Sequence, residues 1–142
     1  MLNVSDLMTK EVFSLNESDT LRTARSMMSL ARIRHIPIVD ENSAFVGLLT
    51  HRDILSATVS RFAEVDEDVQ DEIDAGIPVS EIMRTDVTSV SPEMVLKDAA
   101  QILLNHKYGC LPVLDEQKLV GILTEADFLK LTIRLIDELE KV

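Results

Sequence analysis

Apolar and polar positions follow the same order of elements twice along this chain. In the first half, the run at residues 12–15 predicts a short strand. Polar helix-start residues and apolar residues at helical spacing then predict a helix over residues 20–31. Those apolar residues are Leu21, Ala24, Met28 and Ala31. Two β-rich runs at 36–39 and 45–49, separated by polar turn residues, predict a hairpin, and Thr50 opens a second helix.

The second half repeats this order. A strand is predicted at 87–90, followed by a helix and by hairpin strands at 111–114 and 119–123. The helix carries Leu96, Ala99 and Leu103, and a final amphipathic helix carries Leu129, Ile133, Ile136 and Leu139. Each half is therefore β-α-β-β-α, a mixed α/β (α+β) fold class. Because a sheet of three short strands is marginal alone, we expect the two halves to pack together.

The sequence itself is duplicated. Residues 4–55 align with residues 79–129 with one deletion near Ser43. Identical pairs include Val4/Val79, Ser5/Ser80, Met8/Met83, Pro37/Pro112, Asp40/Asp115, Gly47/Gly121, Thr50/Thr124 and Asp53/Asp127. A duplicated unit of this length is one supersecondary package used twice. We expect repeat 1 at residues 1–60, an acidic linker at 61–77, and repeat 2 with an extended C-terminal helix at 78–142.

Both repeats contain two motifs in register. One is a Gly, two aliphatic residues, Thr, two variable residues and Asp, at residues 47–53 and 121–127. The other is a Pro inside an aliphatic run that ends in Asp, at 36–40 and 111–115. In these motifs the chain resembles a tandem pair of CBS domains, the domain named for cystathionine beta-synthase, also called a Bateman module.

The resemblance implies two repeats packed about a pseudo-twofold axis, with clefts that in many members hold adenosine-containing ligands. A carboxylate accepts hydrogen bonds from both ribose hydroxyls, which suits Asp53 and Asp127. Thr50 and Thr124 offer hydroxyls beside the same sugar or phosphate. An alternative stays open, because Thr-x-x-Asp before an apolar helix is also a helix-capping arrangement that needs no ligand.

By the same resemblance, each cleft combines the Thr and Asp of one repeat with residues of the other. The preferred site joins Thr124 and Asp127 to Val12, Phe13, Ile33, Arg34 and His35. The other site joins Thr50 and Asp53 to Val87, Tyr108 and Gly109. Arg34 and His35 suit phosphate, so the preferred site is expected to depend more on ligand phosphate. At the other site, His51 and Arg52 are the nearest candidate cations.

Charge and composition narrow the function. The chain has 14 basic and 25 acidic residues, a net charge of −11, which argues against nucleic-acid binding. It shows no basic leader and no run of membrane-spanning length, so we expect a cytoplasmic protein without membrane contact. Residues 63–74 carry seven acidic and no basic side chains. This segment reads as a solvated linker or exposed helix, with a divalent-metal sensor as the alternative.

The leading hypothesis is a sensor that is not an enzyme. It is expected to bind AMP, ADP or ATP, with S-adenosylmethionine as a further candidate, and to pass a change of shape to an unidentified regulated protein. A homodimer is expected. The alternative is a structural dimerisation or interaction module without a ligand. No metal site and no catalytic residue are predicted, since His106 and Cys110 have no recognisable orienting acid or oxyanion loop.

Overall fold

The computed structural model describes residues 1–58, 67–106 and 109–141. The chain forms two compact units, and each combines most of one repeat with a short segment of the other. Phe13–Val87 make up the first-repeat unit. Met1–Val12 and Thr88–Val142 make up the second-repeat unit. Each unit has its own hydrophobic core.

The described residues form the mixed α/β fold that the pattern predicts, with six α-helices and two small sheets. The helices are α1 (Val4–Leu7), α2 (Leu21–Ala31), α3 (His51–Thr58), α4 (Glu67–Ala75), α5 (Leu96–Asn105) and α6 (Glu125–Glu140). The strands are β1 (Leu15–Asn16), β2 (His35–Val39), β3 (Phe45–Thr50), β4 (Cys110–Asp115) and β5 (Lys118–Thr124). A short 3-10 turn lies at Val79–Glu81.

The two hairpins are built alike. Strands β2 and β3 pair antiparallel, and so do β4 and β5, each with one irregularity in register near the turn. Pro37 pairs with Leu48 and Pro112 with Ile122, so the proline of each motif lies in a strand beside the glycine-bearing strand. The predicted helix over residues 20–31 is present as α2, with Thr20 at its N-cap.

The first strand predicted in each repeat is shorter than expected. The strand expected at residues 12–15 is only β1, which runs parallel to β2, and the one expected at 87–90 is a single bridge from Val90 to Val113. Each run buries one apolar side chain beside its hairpin, Leu15 or Val90. Phe13 is 54% exposed. The prediction of two full strands was therefore wrong, because within each run only the last residue, Leu15 or Val90, pairs with a neighbouring strand.

The segment that opens each repeat packs on the hairpin of the other. Val79 is completely buried in the core of the first-repeat unit, and Val4 is completely buried in the core of the second-repeat unit. The Arg84 main-chain N–H donates to the Leu48 carbonyl at 2.8 Å and the Leu48 N–H donates back at 2.9 Å. Thr9 makes the same double pairing with Ile122, at 2.9 and 3.0 Å. The repeats therefore exchange their opening segments, which we call lead segments (residues 1–12 and 77–87).

Glycine makes this docking possible. A Cβ on Gly47 would lie 2.6 Å from the Met83 sulfur and 2.9 Å from the Arg84 carbonyl oxygen. A Cβ on Gly121 would lie 2.6 Å from the Met8 sulfur and 3.0 Å from the Thr9 carbonyl oxygen. Both motif glycines are thus required by close approach of another part of the backbone.

Part of the acidic segment forms helix α4; residues 63–66 and the side chain of Glu67 lie outside the described part. Asp74 is only 1% exposed, so the reading as a fully solvated segment does not hold for this residue. Its carboxylate accepts hydrogen bonds from the Arg25 Nε at 2.7 Å and the Gln70 amide at 2.9 Å. Together with the weaker Arg22–Asp71 pair, this contact fastens α4 to α2.

We expect Gly47→Ala to lower the free energy of unfolding by about 1–3 kcal/mol, because the added methyl group must displace the backbone at Arg84. Gly76→Ala is the control, since its Cβ would have only the Ile73 carbonyl oxygen nearby, at 3.6 Å. That change should be neutral or slightly stabilising. Urea unfolding measures both variants, and equal stabilities would contradict the packing argument.

We also expect Asp74→Ala to destabilise the protein by about 1–3 kcal/mol, because the substitution removes a buried acceptor of charged hydrogen bonds. Asp71→Ala is the matched control on the same helix. Its pair with Arg22 has side chains that are 57% and 55% exposed, and such surface pairs contribute about 0–1 kcal/mol. Thermal unfolding compares the two, and a larger loss for Asp71→Ala would refute the role given to Asp74.

Candidate functional site

The Thr and Asp of the first motif sit at the start of helix α3. Thr50 ends β3 and precedes the helix, and its N–H donates to Asp53 Oδ2 at 3.0 Å. The Asp53 N–H donates in turn to the Thr50 hydroxyl at 3.1 Å. This reciprocal capping box satisfies two main-chain donors. The capping arrangement is therefore present in this motif, and Asp53 is only 8% exposed.

The second motif repeats the arrangement at the start of α6. The Thr124 N–H donates to Asp127 Oδ2 at 2.9 Å, and the Thr124 side chain accepts from the helix backbone. Asp127 is 7% exposed. Both aspartates are thus held in fixed positions at a helix N-terminus, where the helix dipole favours their negative charge.

The remaining oxygen of each aspartate faces the docked lead segment. Asp53 Oδ1 forms an ion pair with Arg84, at 2.9 Å from Nη2 and 3.0 Å from Nε. Asp127 Oδ1 accepts a hydrogen bond from the Thr9 hydroxyl at 3.1 Å. Thr9 and Arg84 occupy equivalent positions in the two repeats, directly after the aligned Met8 and Met83.

Sequence reasoning missed Arg84 and Thr9. Both residues lie far along the chain from the aspartates that they contact, so no local sequence pattern links them. Only the exchange of lead segments brings each pair together. The one available clue was the position after the aligned methionine, which is charged in one repeat and neutral in the other.

The structure places Arg34 beside the first turn of α3. The His51 N–H donates to the Arg34 carbonyl at 2.9 Å. Both residues line a surface hollow of about 430 Å³ in the first-repeat unit. Its lining is Arg25, Met28, Ser29, Arg32, Ile33, Arg34, His51 and Ile54. The sequence assigned Arg34 and His51 to different sites, whereas they are neighbours in one hollow.

The other candidate residues lie at the edges of these elements. Val12 and Val87 are half-buried and end the two lead segments. His35 begins β2 and is half-buried. Gly109 has a left-handed φ of 72°, which glycine adopts freely, and its carbonyl accepts from the Glu125 N–H at 3.2 Å. Tyr108 lies outside the described residues.

Nothing in the geometry makes Cys110 a nucleophile. It lies in β4 with 2% of its surface exposed, and burial raises the pKa of its thiol to about 12. A thiol in this state stays protonated at neutral pH, and the thiolate is the reactive form. His106, the histidine considered with it, is exposed after the end of α5.

Two further findings concern the described residues alone. In the ranges 1–58, 67–106 and 109–141, no three His, Cys, Asp or Glu side chains are grouped as a metal ion would require. No helix within the same ranges is both long enough and apolar enough to cross a membrane.

Comparison with known proteins finds similar chains over most of this sequence. The 142-residue chain is 35% identical over 127 residues to the CBS domain-containing protein YhcV of Bacillus subtilis, covering 89% of this chain and 83% of the relative. Its fold matches a Vibrio cholerae structure named as an acetoin utilization protein, AcuB, with a TM-score of 0.82 and 37% identity, covering 100% and 98% of the two chains.

A second solved structure carries a ligand. CBSX2 of Arabidopsis thaliana in complex with AMP matches with a TM-score of 0.78 and 26% identity, covering 95% of this chain and 98% of that one. The description of the CBS-domain family matches twice, at residues 4–60 and 79–134. Two matches in register with the two repeats show that this chain belongs to the CBS-domain family, as a tandem CBS pair.

Proposed function

We propose that the protein is a non-enzymatic regulatory module that binds adenosine-containing nucleotides and signals their presence to a partner protein. The observation that carries the proposal is the repeated Thr–Asp pair, which holds a carboxylate in a fixed position at the start of α3 and of α6. AMP bound to CBSX2, a pair of the same family, supports an adenine nucleotide as the ligand.

The capping role of the aspartates is compatible with ligand binding. In each case capping uses Oδ2, while Oδ1 is directed to a side chain of the lead segment. A carboxylate has about four acceptor positions, so a ribose diol has lone pairs left to engage. Because the capping box fixes the carboxylate before the ligand arrives, little conformational entropy is lost on binding.

The residues that complete each site stay a prediction from family resemblance. Thr124 and Asp127 are proposed to act with Val12, Phe13, Ile33, Arg34 and His35. Thr50 and Asp53 are proposed to act with Val87, Tyr108 and Gly109. The signal to a partner is proposed to arise from differential affinity, with the ligand favouring one arrangement of the repeats.

One feature of α6 favours an interaction role as well. Leu129, Ile133 and Ile136 recur at helical spacing and are 64%, 59% and 47% exposed, with Leu135 and Leu139 beside them. A continuous exposed apolar stripe of this kind marks an interface in most soluble proteins. We therefore propose that the protein is a homodimer, and a purely structural dimerisation module is the second candidate function.

We expect AMP, ADP or ATP to raise the thermal unfolding temperature of the wild-type protein, since a ligand at about 100 times its Kd stabilises by roughly 2.7 kcal/mol. S-adenosylmethionine belongs in the same panel. Asp127→Asn should weaken nucleotide binding by about 1.5–3 kcal/mol in calorimetry, because it removes a charged acceptor. Asparagine keeps an oxygen for the Thr124 N–H, which makes it a better test than alanine.

Asp6→Asn is the matched control. Asp6 caps α1 by accepting from the Asn3 N–H at 2.7 Å, and it is exposed. It should leave nucleotide affinity unchanged. If no nucleotide in the panel shifts the unfolding temperature, the sensor function is wrong and the structural alternative takes its place.

For the dimer, light scattering at tens of micromolar should give twice the chain mass of 15.9 kDa. Ile133→Glu should shift the protein toward monomer, because it places a charge inside the apolar stripe of α6. Arg134→Glu, the next residue on the polar side of the helix, should not. A wild-type monomer at these concentrations would exclude the homodimer.

A further inference from the structure

The two Thr–Asp pairs differ in the charge of the lead-segment residue that contacts the aspartate. Arg84 contacts Asp53, and the neutral Thr9 contacts Asp127. We infer that Arg84 is a specificity-determining residue that makes the Asp53 site select adenosine ligands carrying a phosphate over uncharged ones. This inference rests on the proposed function, since it concerns the nucleotide that the same carboxylate would hold.

The ion pair changes the local charge at one site only. Arg84 places a positive charge against Asp53 and reaches the carboxylate with two nitrogens. Among the residues that the structure describes, no Lys, Arg or His lies within ion-pair distance of Asp127. The lead segment therefore places a cation against Asp53 and a neutral hydroxyl against Asp127.

This difference has a direct effect on ligand choice. A ribose at Asp53 must share Oδ1 with the Arg84 guanidinium, which weakens the ion pair of a largely buried carboxylate. A phosphate on the ligand offsets that loss, because a guanidinium binds phosphate with two parallel hydrogen bonds. The Arg84 side chain is 39% exposed, so an arriving anion can reach it. An uncharged nucleoside has no phosphate to form new hydrogen bonds with the Arg84 guanidinium.

The surrounding charges point the same way. The residues that follow Thr50 are His51 and Arg52, whereas those that follow Thr124 are Glu125 and Ala126. All arginines except Arg134 lie between residues 13 and 87, and all lysines lie outside this range. Arginine is the side chain best suited to planar recognition of phosphate. The start of α3 is thus more basic than the start of α6, which favours phosphate at the Asp53 site, although sequence reasoning assigned the stronger phosphate dependence to the Asp127 site through Arg34 and His35.

The duplicated fold supplies its own matched variants. Arg84→Thr gives the Asp53 site the residue that Asp127 already has, and Thr9→Arg makes the reciprocal change. Threonine is accommodated at this position of the lead segment in one unit, so Arg84→Thr is expected to fold, which thermal unfolding checks. Each site is isolated by Asp127→Asn or Asp53→Asn, and calorimetry measures the affinities for AMP and adenosine.

In the Asp127→Asn background, AMP should bind about tenfold or more tightly than adenosine, and Arg84→Thr should bring the two affinities within about twofold of each other. Arg84→Lys should restore the preference for AMP, since it returns the charge. In the Asp53→Asn background, Thr9→Arg should increase the preference for AMP about tenfold.

The inference is overturned if Arg84→Thr leaves the ratio of the AMP and adenosine affinities unchanged. Arg84 would then have only a structural role. Binding of both ligands to the wild type with an unchanged ratio in the variant would leave the proposed function intact. If the wild type binds neither ligand, the proposed function itself fails and this inference fails with it.

Discussion

The close approach of each lead segment to a motif glycine is the constraint on which the rest of the structure depends. Gly47 and Gly121 lie in the second strand of their hairpins, where no Cβ fits beneath the passing backbone. The approach lets Val79 and Val4 enter the two cores, where a buried valine contributes about 1.5–3 kcal/mol. It also sets the position of Arg84 and Thr9 against the two aspartates.

The aspartates proposed to bind a ligand are also the residues that cap helices α3 and α6. A helix N-terminus must satisfy its free N–H groups, and Asp53 and Asp127 meet that need with one oxygen each. The second oxygen is then held in a fixed position at no additional entropic cost. The structural role is therefore present in both repeats, and it leaves the proposed binding role possible, because capping uses only one oxygen of each carboxylate.

Much of the fold could be predicted because its signals are local. Helical spacing marks α2, α5 and α6, and β-rich runs around polar turns mark both hairpins. The contacts of Arg84 and Thr9 could not be predicted, since they depend on which hairpin each lead segment meets. The strands that open each repeat were predicted too long, because the apolar pattern does not show how few of their residues pair with a neighbouring strand. The burial of Asp74 was missed for a similar reason: in sequence it is one acidic residue among seven, and only the packing of α4 on α2 brings Arg25 to it.

The exchange of lead segments also fixes the order in which the units can be completed during synthesis. A chain leaves the ribosome from its N-terminal side, and domains generally fold as units as they emerge. The first-repeat unit has all its elements once Val87 has emerged. Val4 and Thr9, although made earlier, have no hairpin to join until strand β5 follows. Val4 and Thr9 are therefore buried later than many residues that are made after them, because their partners in β5 emerge later.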